Sequence, residues 1–305
     1  MAGDADAAIR RVLAALAGGE ALAVLGEEVS GTDLTTFLLE VLRRRAAGQT
    51  PAAVMRRAST NRLVEPGTVD GRALHRVIAT VIAAVPTTFE FLELAPVAPL
   101  GTHSVMATVH QHKVVATVRG TEVAADPTNA LAIVAARRRQ SQPQAQIQRL
   151  AAVQRILRAQ PFGDQGQAHF SVVGLVTAGR DRGNLDFERD AIIEQLHVLV
   201  AAVKSVTNAA IDVRMTSLRD EFTEALIDDA RALITDATVT TDPDRVSGRG
   251  YYRDLCFKVL VGTGPARLEV GDGGFTDWTQ QLVGSRKERL LISGLGMDRL
   301  TSLAT

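Results

Sequence analysis

The sequence predicts a protein of mixed helices and strands, preceded by a part that is helical throughout. Apolar residues recur every three or four positions over residues 70–85, which is the period of an amphipathic helix. Two apolar segments, residues 150–160 and 169–177, flank a loop rich in glycine and glutamine, a pattern typical of two strands joined by a polar connection. Residues 5–60 carry short helical patterns, interrupted by a break at residues 48–51.

Composition limits the class of protein. The chain has 305 residues, with 34 basic and 34 acidic side chains, which allows one large domain with an appendage or two domains. Its neutral balance argues against a protein held on nucleic acid by bulk charge. Cys256 is the only cysteine, so we expect no disulfide framework and no cysteine metal cluster. Neither a signal peptide nor a membrane-spanning run is recognisable, so we expect a cytoplasmic protein without a membrane partner.

The helical patterns divide the chain in two. Residues 1–65 predict a small helical appendage, and residues 66–305 predict the main domain. In the main domain the helix over residues 70–85 precedes a predicted strand at residues 89–94. Residues 114–119 are predicted as a further strand.

A helix is predicted over residues 130–139, and Asp126 and Thr128 stand just before it. Pro127 fixes φ there, and short polar side chains can accept hydrogen bonds from the first helical N–H groups. The pattern is consistent with a simple helix start. It is equally consistent with a helix start whose two polar side chains face a ligand.

The stretch from residue 271 to residue 300 contains two glycine-rich segments around an apolar strand at residues 290–292. The first, residues 271–274, is predicted to be a polar turn. The second, residues 294–296, is predicted to be a turn that leads the strand into a helix carrying Arg299. Glycines at this spacing allow close packing and leave the backbone open to a flat ligand. Residues 238–244, further upstream, are predicted to be a polar connection.

This stretch resembles motif 3 of the class II aminoacyl-tRNA synthetases, and its upstream glycine pair is similar to that of the histidyl branch. Arg158, at the end of the first strand of the pair, resembles the motif 2 arginine. Tyr251 and Tyr252 are the only tyrosines of the chain and resemble the tyrosine pair of histidyl-tRNA synthetases and their relatives. The resemblance covers roughly residues 70–300. It implies an α+β fold with an antiparallel sheet flanked by helices, and a homodimer formed through the helix at residues 70–85, the motif 1 element.

The resemblance also implies an ATP site, with Mg²⁺ accompanying the nucleotide. Arg158 would bind the α-phosphate and neutralise charge as a carboxylate attacks it. Arg299 would stack on adenine. Gln160, Gly294 and Gly296 would complete the nucleotide site.

A small carboxylic or amino acid would be the second ligand. The family's catalytic arginine aligns with Ser247, so the neighbouring Arg249 is the candidate to replace it. The predicted acid-binding residues are Asp126, Thr128, His169, Tyr251, Tyr252 and Asp277. No residue is predicted to bind a metal ion directly, and Mg²⁺ is expected only as the ion that accompanies ATP.

Several positions depart from the family. Val172 and Val176 stand where the resemblance requires a glutamine and a glutamate that recognise histidine, and Phe275 replaces an arginine. Valine cannot accept a hydrogen bond from an ammonium group, so histidine is not the expected substrate. The chain stops at Thr305, soon after motif 3, so we expect no anticodon-binding domain and no binding of tRNA.

Two functions therefore stay open. The first is an ATP-dependent ligase that activates another acid as an adenylate and transfers it to an acceptor other than a standard tRNA. The second is a non-catalytic paralogue that regulates a partner enzyme, like the regulatory subunit of ATP phosphoribosyltransferase. We favour the ligase, because polar side chains still occupy the expected pocket. A complete histidyl-tRNA synthetase is disfavoured by the departures described above.

Overall fold

The computed structural model describes residues 2–16, 20–142, 147–160, 167–219, 223–264 and 267–304. It divides into two compact units. The first comprises residues 1–60 with residues 117–121, and the second comprises residues 61–116 with residues 122–305. The return of residues 117–121 to the first unit could not be predicted from the order of the sequence patterns.

The described part of the first unit contains four helices. They are α1 (Ala2–Ala15), α2 (Ala21–Ala23, extended by a π-helical turn at Val24–Glu28), α3 (Gly31–Ala47) and α4 (Pro51–Ala58). Ser30 and Thr50 cap α3 and α4 by accepting hydrogen bonds from backbone amides. The short helices predicted for the start of the chain are thus present, and their described side chains are half-buried or exposed.

The second unit contains the sheet and most of the core. Its described helices are α5 (Gly71–Ala84), α6 (Pro127–Ser141), α7 (Asp186–Lys204), α8 (Glu224–Leu233), α9 (Trp278–Val283) and α10 (Met297–Thr301). The described strands of the chain are β1 (Glu90–Phe91), β2 (Val97–Pro99), β3 (Thr121–Val123), β4 (Gln148–Leu157), β5 (His169–Arg180), β6 (Ile211–Ser217), β7 (Thr238–Thr241), β8 (Arg253–Val261), β9 (Leu268–Thr276) and β10 (Glu288–Gly296).

Eight of the described strands form one sheet in the order β1-β4-β5-β10-β9-β8-β6-β7. The central pairs, from β4 to β6, are antiparallel, and the two edge pairs, β1 with β4 and β6 with β7, are parallel. β2 and β3 form a separate two-stranded sheet. The predicted α+β class, an antiparallel sheet flanked by helices, is confirmed.

Helices cover both faces of the large sheet. On one face, α5, α7, α8 and α10 pack on inward side chains such as Leu175, Phe257 and Leu291. On the other face, α6 and α9 pack on Val176 and Ile292. We refer to these as the α7 face and the α6 face. Because side chains alternate along a strand, neighbouring residues of one strand belong to different faces.

The first residues of β10 are held by charged side chains on both faces. Glu288 pairs with Arg139 of α6, and both side chains are buried. Arg289 points to the other face, where it donates to Glu188 of α7 at 2.8 Å and to Asp181 at 2.6 Å. The start of the strand is therefore fixed to α6 on one side and to α7 on the other.

Four predicted elements differ from the structure. Residues 294–296, predicted to be a turn, are the last residues of β10, and α10 begins directly after them. Residues 271–274 are not a turn but the middle of β9. A Cβ on Gly271 would lie 2.4 Å from the carbonyl oxygen of Gly294, so glycine is required there by close strand packing. Residues 238–244, predicted to be a polar connection, contain the edge strand β7. Residues 114–119 form only an isolated bridge, between Ala116 and Glu122, and the nearby strand is β3.

No helix in the described residues combines the length and the apolar composition that crossing a bilayer requires.

Candidate functional site

One end of the α6 face is not covered by any helix among the described residues. α6 begins over Gly174, where a Cβ would lie 2.8 Å from Cγ of Pro127. Further along, Gly296 of β10 pairs with Val172 of β5, and Gly294 pairs with Asp272 of β9. These paired residues share the α6 face and are half-buried. We refer to this uncovered end, lined by Phe170, Val172, Asp272, Gly294 and Gly296, as the groove.

The two glycines keep the floor of the groove flat. A Cβ on Gly294 would lie 3.1 Å from the carbonyl oxygen of Val173 and 3.2 Å from a methyl group of Val172. A Cβ on Gly296 would lie 4.0 Å from Cδ of Arg299. The exposed Arg299 side chain runs beside this bare strand and donates to the carbonyl oxygen of Glu269 at 2.7 Å. A planar ligand could lie on this floor without meeting a side chain from β10.

Arg158 follows the last residue of β4, at the same end of the sheet. Its Nε donates to the carbonyl oxygen of Ala125 at 2.9 Å, and its Nη2 lies 3.5 Å from Oδ2 of Asp126. Its guanidinium lies 5.3 Å from the ring centre of Phe170. The side chain is 31% exposed, so it is held in position yet can still reach a ligand in the groove.

Asp126 forms the N-cap of α6 and links the arginine to the helix. Its Oδ1 accepts hydrogen bonds from the backbone amide of Thr128 at 2.9 Å and from the Thr128 hydroxyl at 2.7 Å. Thr128 in turn contacts the hydroxyl of Tyr251. The structure therefore brings together four residues predicted from the sequence: Arg158, Asp126, Thr128 and Tyr251.

The tyrosine pair and Asp272 form the far wall of the groove. Burial raises the pKa of Tyr251 well above its ordinary value, and nearby Asp126 and Asp272 raise it further. The Tyr252 hydroxyl contacts Asp272. Burial also raises the pKa of Asp272, although Arg245 opposes this effect. The Asp272 side chain is nevertheless 47% exposed, so it remains accessible from the groove.

Arg245 is a residue that sequence reasoning missed. Its side chain is 2% exposed, its Nη2 lies 3.6 Å from Oδ2 of Asp272, and its guanidinium is 5.6 Å from the ring centre of Tyr252. Arg249, the predicted replacement for the family's arginine, is exposed and donates to the carbonyl oxygens of Arg245 and Pro243. Of these two arginines, Arg245 is further from the tyrosines along the chain but lies nearer the groove.

Two predicted acid-binding residues lie away from the groove. His169 precedes Phe170 on β5 and so points to the opposite face. There Arg155 donates to its Nδ1, and its Nε2 lies 2.5 Å from the carbonyl oxygen of Glu65. Asp277 lies beyond the other end of β9, where it pairs with Arg253 at 3.1 Å. The alternation of side chains along β5 was the signal that separates His169 from Phe170.

Gln160 is half-buried and is the last described residue before residues 161–166, which lie outside the described structure. Of the two valines that replace the histidine-recognition pair, Val172 lies at the groove. Val176 is fully buried beneath α6.

Among the described residues, the groove is an open surface whose lining residues are half-buried. A cavity of about 470 Å³ lies elsewhere, beside α5 and α7, with Ala84, Glu194 and His197 in its lining. Another of about 270 Å³ includes Glu188 and Phe275 in its lining. Neither is lined by Arg158 or Asp272. Within the described residues, no group of three or more His, Cys, Asp or Glu side chains is placed to hold a metal ion.

A buried carboxylate supports the segment behind Arg158. Glu122 of β3 accepts hydrogen bonds from the backbone amides of Gly101 and His103, from Nδ1 of His103 and from the Gln111 side chain. Burial, the largest influence, raises the pKa of Glu122. The four hydrogen bonds together outweigh it and lower the pKa below the ordinary value of 4.5.

We expect Glu122→Gln to destabilise the protein at neutral pH by about 1.5–3 kcal/mol, since an amide NH₂ cannot accept from these donors. A lowered pKa contributes stability that is complete above 4.5 and is lost as the pH falls below it. The gap in unfolding free energy between wild type and variant should therefore narrow below pH 4.5 in urea titrations. Glu93→Gln, at an exposed site, is the control. A gap that stays constant with pH would contradict the role of the ionised carboxylate.

No protein-family model matches the sequence, and no curated protein matches it. The fold, in contrast, is similar to that of solved class II aminoacyl-tRNA synthetases over most of the chain. Two similar structures are histidyl-tRNA synthetases. The one from a Nostoc species has 13% identity and a TM-score of 0.59, with 84% of this chain and 74% of that chain covered. The one from S. aureus has 14% identity and a TM-score of 0.58, with 76% and 64% covered.

A third similar structure is an ATP phosphoribosyltransferase regulatory subunit/histidyl-tRNA synthetase from Bacillus halodurans. It has 14% identity and a TM-score of 0.57, with 79% of this chain and 81% of that chain covered. The fold is therefore that of the histidyl-tRNA synthetase-like core, as the sequence resemblance predicted. The chain spans 64% of the S. aureus synthetase. At these identities the comparisons establish the fold, and the roles of individual residues stay predictions.

Proposed function

We propose that this protein binds ATP in the groove and activates the carboxylate of a small acid as an adenylate. The observation that carries the proposal is that Arg158 lies over Phe170, beside the groove whose floor is formed by Gly294 and Gly296 of β10. Arg299 runs beside the same floor. A flat base needs such a floor, and a phosphate needs a guanidinium near it.

In this reaction a carboxylate oxygen bonds to the α-phosphorus of ATP and pyrophosphate leaves. Arg158 would neutralise charge that develops on the α-phosphate, and its bond to the Ala125 carbonyl keeps it oriented before the ligand arrives. Arg299 would stack on the base. Mg²⁺ would arrive with the ATP phosphates, which are its preferred ligands.

The acid is proposed to carry an amino group. Asp126 and Asp272 place two carboxylates near Tyr251, a setting that suits an ammonium group. Buried Arg245 supplies a positive charge next to Asp272 and is a better placed candidate than Arg249 for the acid's carboxylate or for phosphate. Val172 cannot accept a hydrogen bond where the resemblance requires a glutamine, so histidine is not the proposed substrate.

Calorimetry with ATP, with and without Mg²⁺, tests the first step. Pyrophosphate exchange across a panel of amino and carboxylic acids then tests activation. We expect ATP to bind and exchange to depend on one class of acid. If ATP does not bind, the adenylating function is wrong.

A second candidate is a regulatory subunit without catalysis, acting on a partner enzyme. It is favoured by the similarity to the Bacillus halodurans protein, of which 81% is covered. Co-purification of the tagged chain with a phosphoribosyltransferase, together with absence of pyrophosphate exchange, would support this function over the first.

We also propose a homodimer formed through α5. Ile82 is an exposed apolar residue on this helix, beside small exposed alanines. Ile82→Glu would place a charge in the interface, so we expect wild type to sediment at twice the mass of the chain and the variant as a monomer. Leu233→Glu, at an exposed site of α8, is the control. A wild-type monomer, or a variant that remains dimeric, would refute this interface.

A further inference from the structure

The segment before β3 contacts Ala159, which follows Arg158 in the chain, and Ala125, which accepts a hydrogen bond from Arg158. The carbonyl oxygen of Lys113 accepts a hydrogen bond from the amide of Ala159 at 2.9 Å. The side chain of His103, which is buried, accepts one from the amide of Ala125 at 3.0 Å. The groove arginine therefore depends on a segment that does not itself line the groove.

The hydrogen bonds of His103 define which ring nitrogen carries the proton. The Ala125 amide can only donate, so Nε2 of His103 must be the acceptor and is unprotonated. Nδ1 must then carry the proton of the neutral ring, and it donates to Oε1 of Glu122 at 2.6 Å. Glu122 thus fixes the tautomer and the orientation of His103.

Ala125 passes this order on to the groove. Its amide is bound by His103, and its carbonyl oxygen accepts the Nε–H of Arg158 at 2.9 Å. The next residue, Asp126, caps α6 and lies 3.5 Å from the same guanidinium. One residue, held by His103, therefore fixes the direction of Arg158.

We propose that His103 and Glu122 are a positioning pair for the nucleotide site: Glu122 sets the ring tautomer in which Nε2 of His103 can accept, and His103 acts on bound ATP through Ala125 and Arg158. This inference rests on the proposed function. Ordering the loop around Glu122 does not by itself require the bond from Ala125 to His103. That bond is the part of the arrangement that connects the pair to the ligand.

Two substitutions of His103 separate the two bonds. In His103→Gln the side-chain oxygen reaches the place of Nε2 and can still accept from Ala125. In His103→Asn the amide nitrogen takes the place of Nδ1 and keeps the bond to Glu122, but the bond to Ala125 is lost. His197→Asn, at an exposed site on α7, is the control.

We expect calorimetry to show ATP affinity near that of wild type for His103→Gln, and about tenfold weaker for His103→Asn. Thermal unfolding of each variant reports folding independently. Wild-type affinity in His103→Asn, or a loss in His103→Gln as large as in His103→Asn, would overturn the proposal. If His103→Asn does not fold, His103→Gln alone decides, because a tenfold loss in it contradicts action through Ala125.

Failure of the proposed function has a different signature. If wild type does not bind ATP, proton exchange at Nε–H of Arg158, followed by NMR on protein labelled with ¹⁵N-arginine, still tests the pair. Slow exchange in wild type and His103→Gln, with faster exchange in His103→Asn, supports the pair without reference to a nucleotide. Equal exchange in all three proteins overturns it.

Discussion

Arg158→Ala is expected to weaken ATP binding by roughly 10- to 100-fold, because hydrogen bonds to a charged group contribute about 1.5–3 kcal/mol. The reason lies in the position of the side chain, which is oriented by Ala125 and Asp126 and remains partly exposed beside Phe170. Calorimetry at fixed ionic strength measures the change, and thermal unfolding shows whether the variant is folded.

Arg180→Ala is the matched control for this prediction. Arg180 is the last residue of β5, whereas the residues next to Arg158 pair with the start of that strand. The twelve residues of β5 place the two arginines at opposite ends of the sheet. Equal affinity losses in the two variants would show that general charge, rather than the groove, attracts the nucleotide.

The largest loss of stability is expected for Arg139→Ala. Arg139 is 1% exposed and pairs with Glu288, which is also buried, so its removal leaves a carboxylate without its charge partner inside the protein. Breaking a buried pair from one side costs about 3–5 kcal/mol. Trp278, the only tryptophan of the chain, is buried in the core on the same face, so its fluorescence can follow unfolding in urea.

The preceding residue provides the control for this second prediction. Arg138 pairs with Glu90 at 2.6 Å, but its side chain is 38% exposed, and exposed pairs contribute about 0–1 kcal/mol. Arg138→Ala should therefore change stability little. The double variant Arg139→Met with Glu288→Leu should recover most of the loss, because no buried charge remains. Equal effects of the two single variants would contradict the importance of burial.

Periodicity predicted the regular elements of the core well. The helix predicted over residues 70–85 is α5, with Leu74, Val77 and Val81 buried as their spacing required. The two strands predicted around the polar loop are β4 and β5, paired antiparallel. α5 has one apolar face, which packs on the core, whereas β5 is apolar on both of its faces, which helices cover, so local pattern and tertiary packing agree.

Glycine was the main source of error in the prediction. Residues 271–274 suggested a turn, yet Gly271, Gly273 and Gly274 lie in β9, where side chains of neighbouring strands leave no room for a Cβ. A glycine required by close packing and a glycine required by a turn look alike in a single sequence. The edge strand β7 was missed for a different reason. An exposed edge strand can be as polar as a loop, so a single sequence does not distinguish the two.

The sequence predicted which residues form the candidate site better than it predicted where their side chains point. Four predicted residues come together because the elements beside them meet at the groove. Asp126 and Thr128 stand at the start of α6, Arg158 follows β4, and Tyr251 precedes β8. His169 does not join them, because it is adjacent to Phe170 and points to the opposite face. Arg245 was missed because its position depends on how the loop before the tyrosines folds back toward the groove. The local sequence pattern does not predict the conformation of that loop.

The charged residues at the start of β10 set the alignment of the whole strand. Glu288 and Arg289 are adjacent, and each accepts a partner on only one face of the sheet. A slip by one residue would bring Glu288 to the face that carries Glu188 and Asp181, and it would move Ser293 and Leu295 into the positions of the groove glycines. Glu288 and Arg289 thus determine which residues of β10 face the groove. The flat floor of the proposed nucleotide site is specified by charged residues that precede it in the chain.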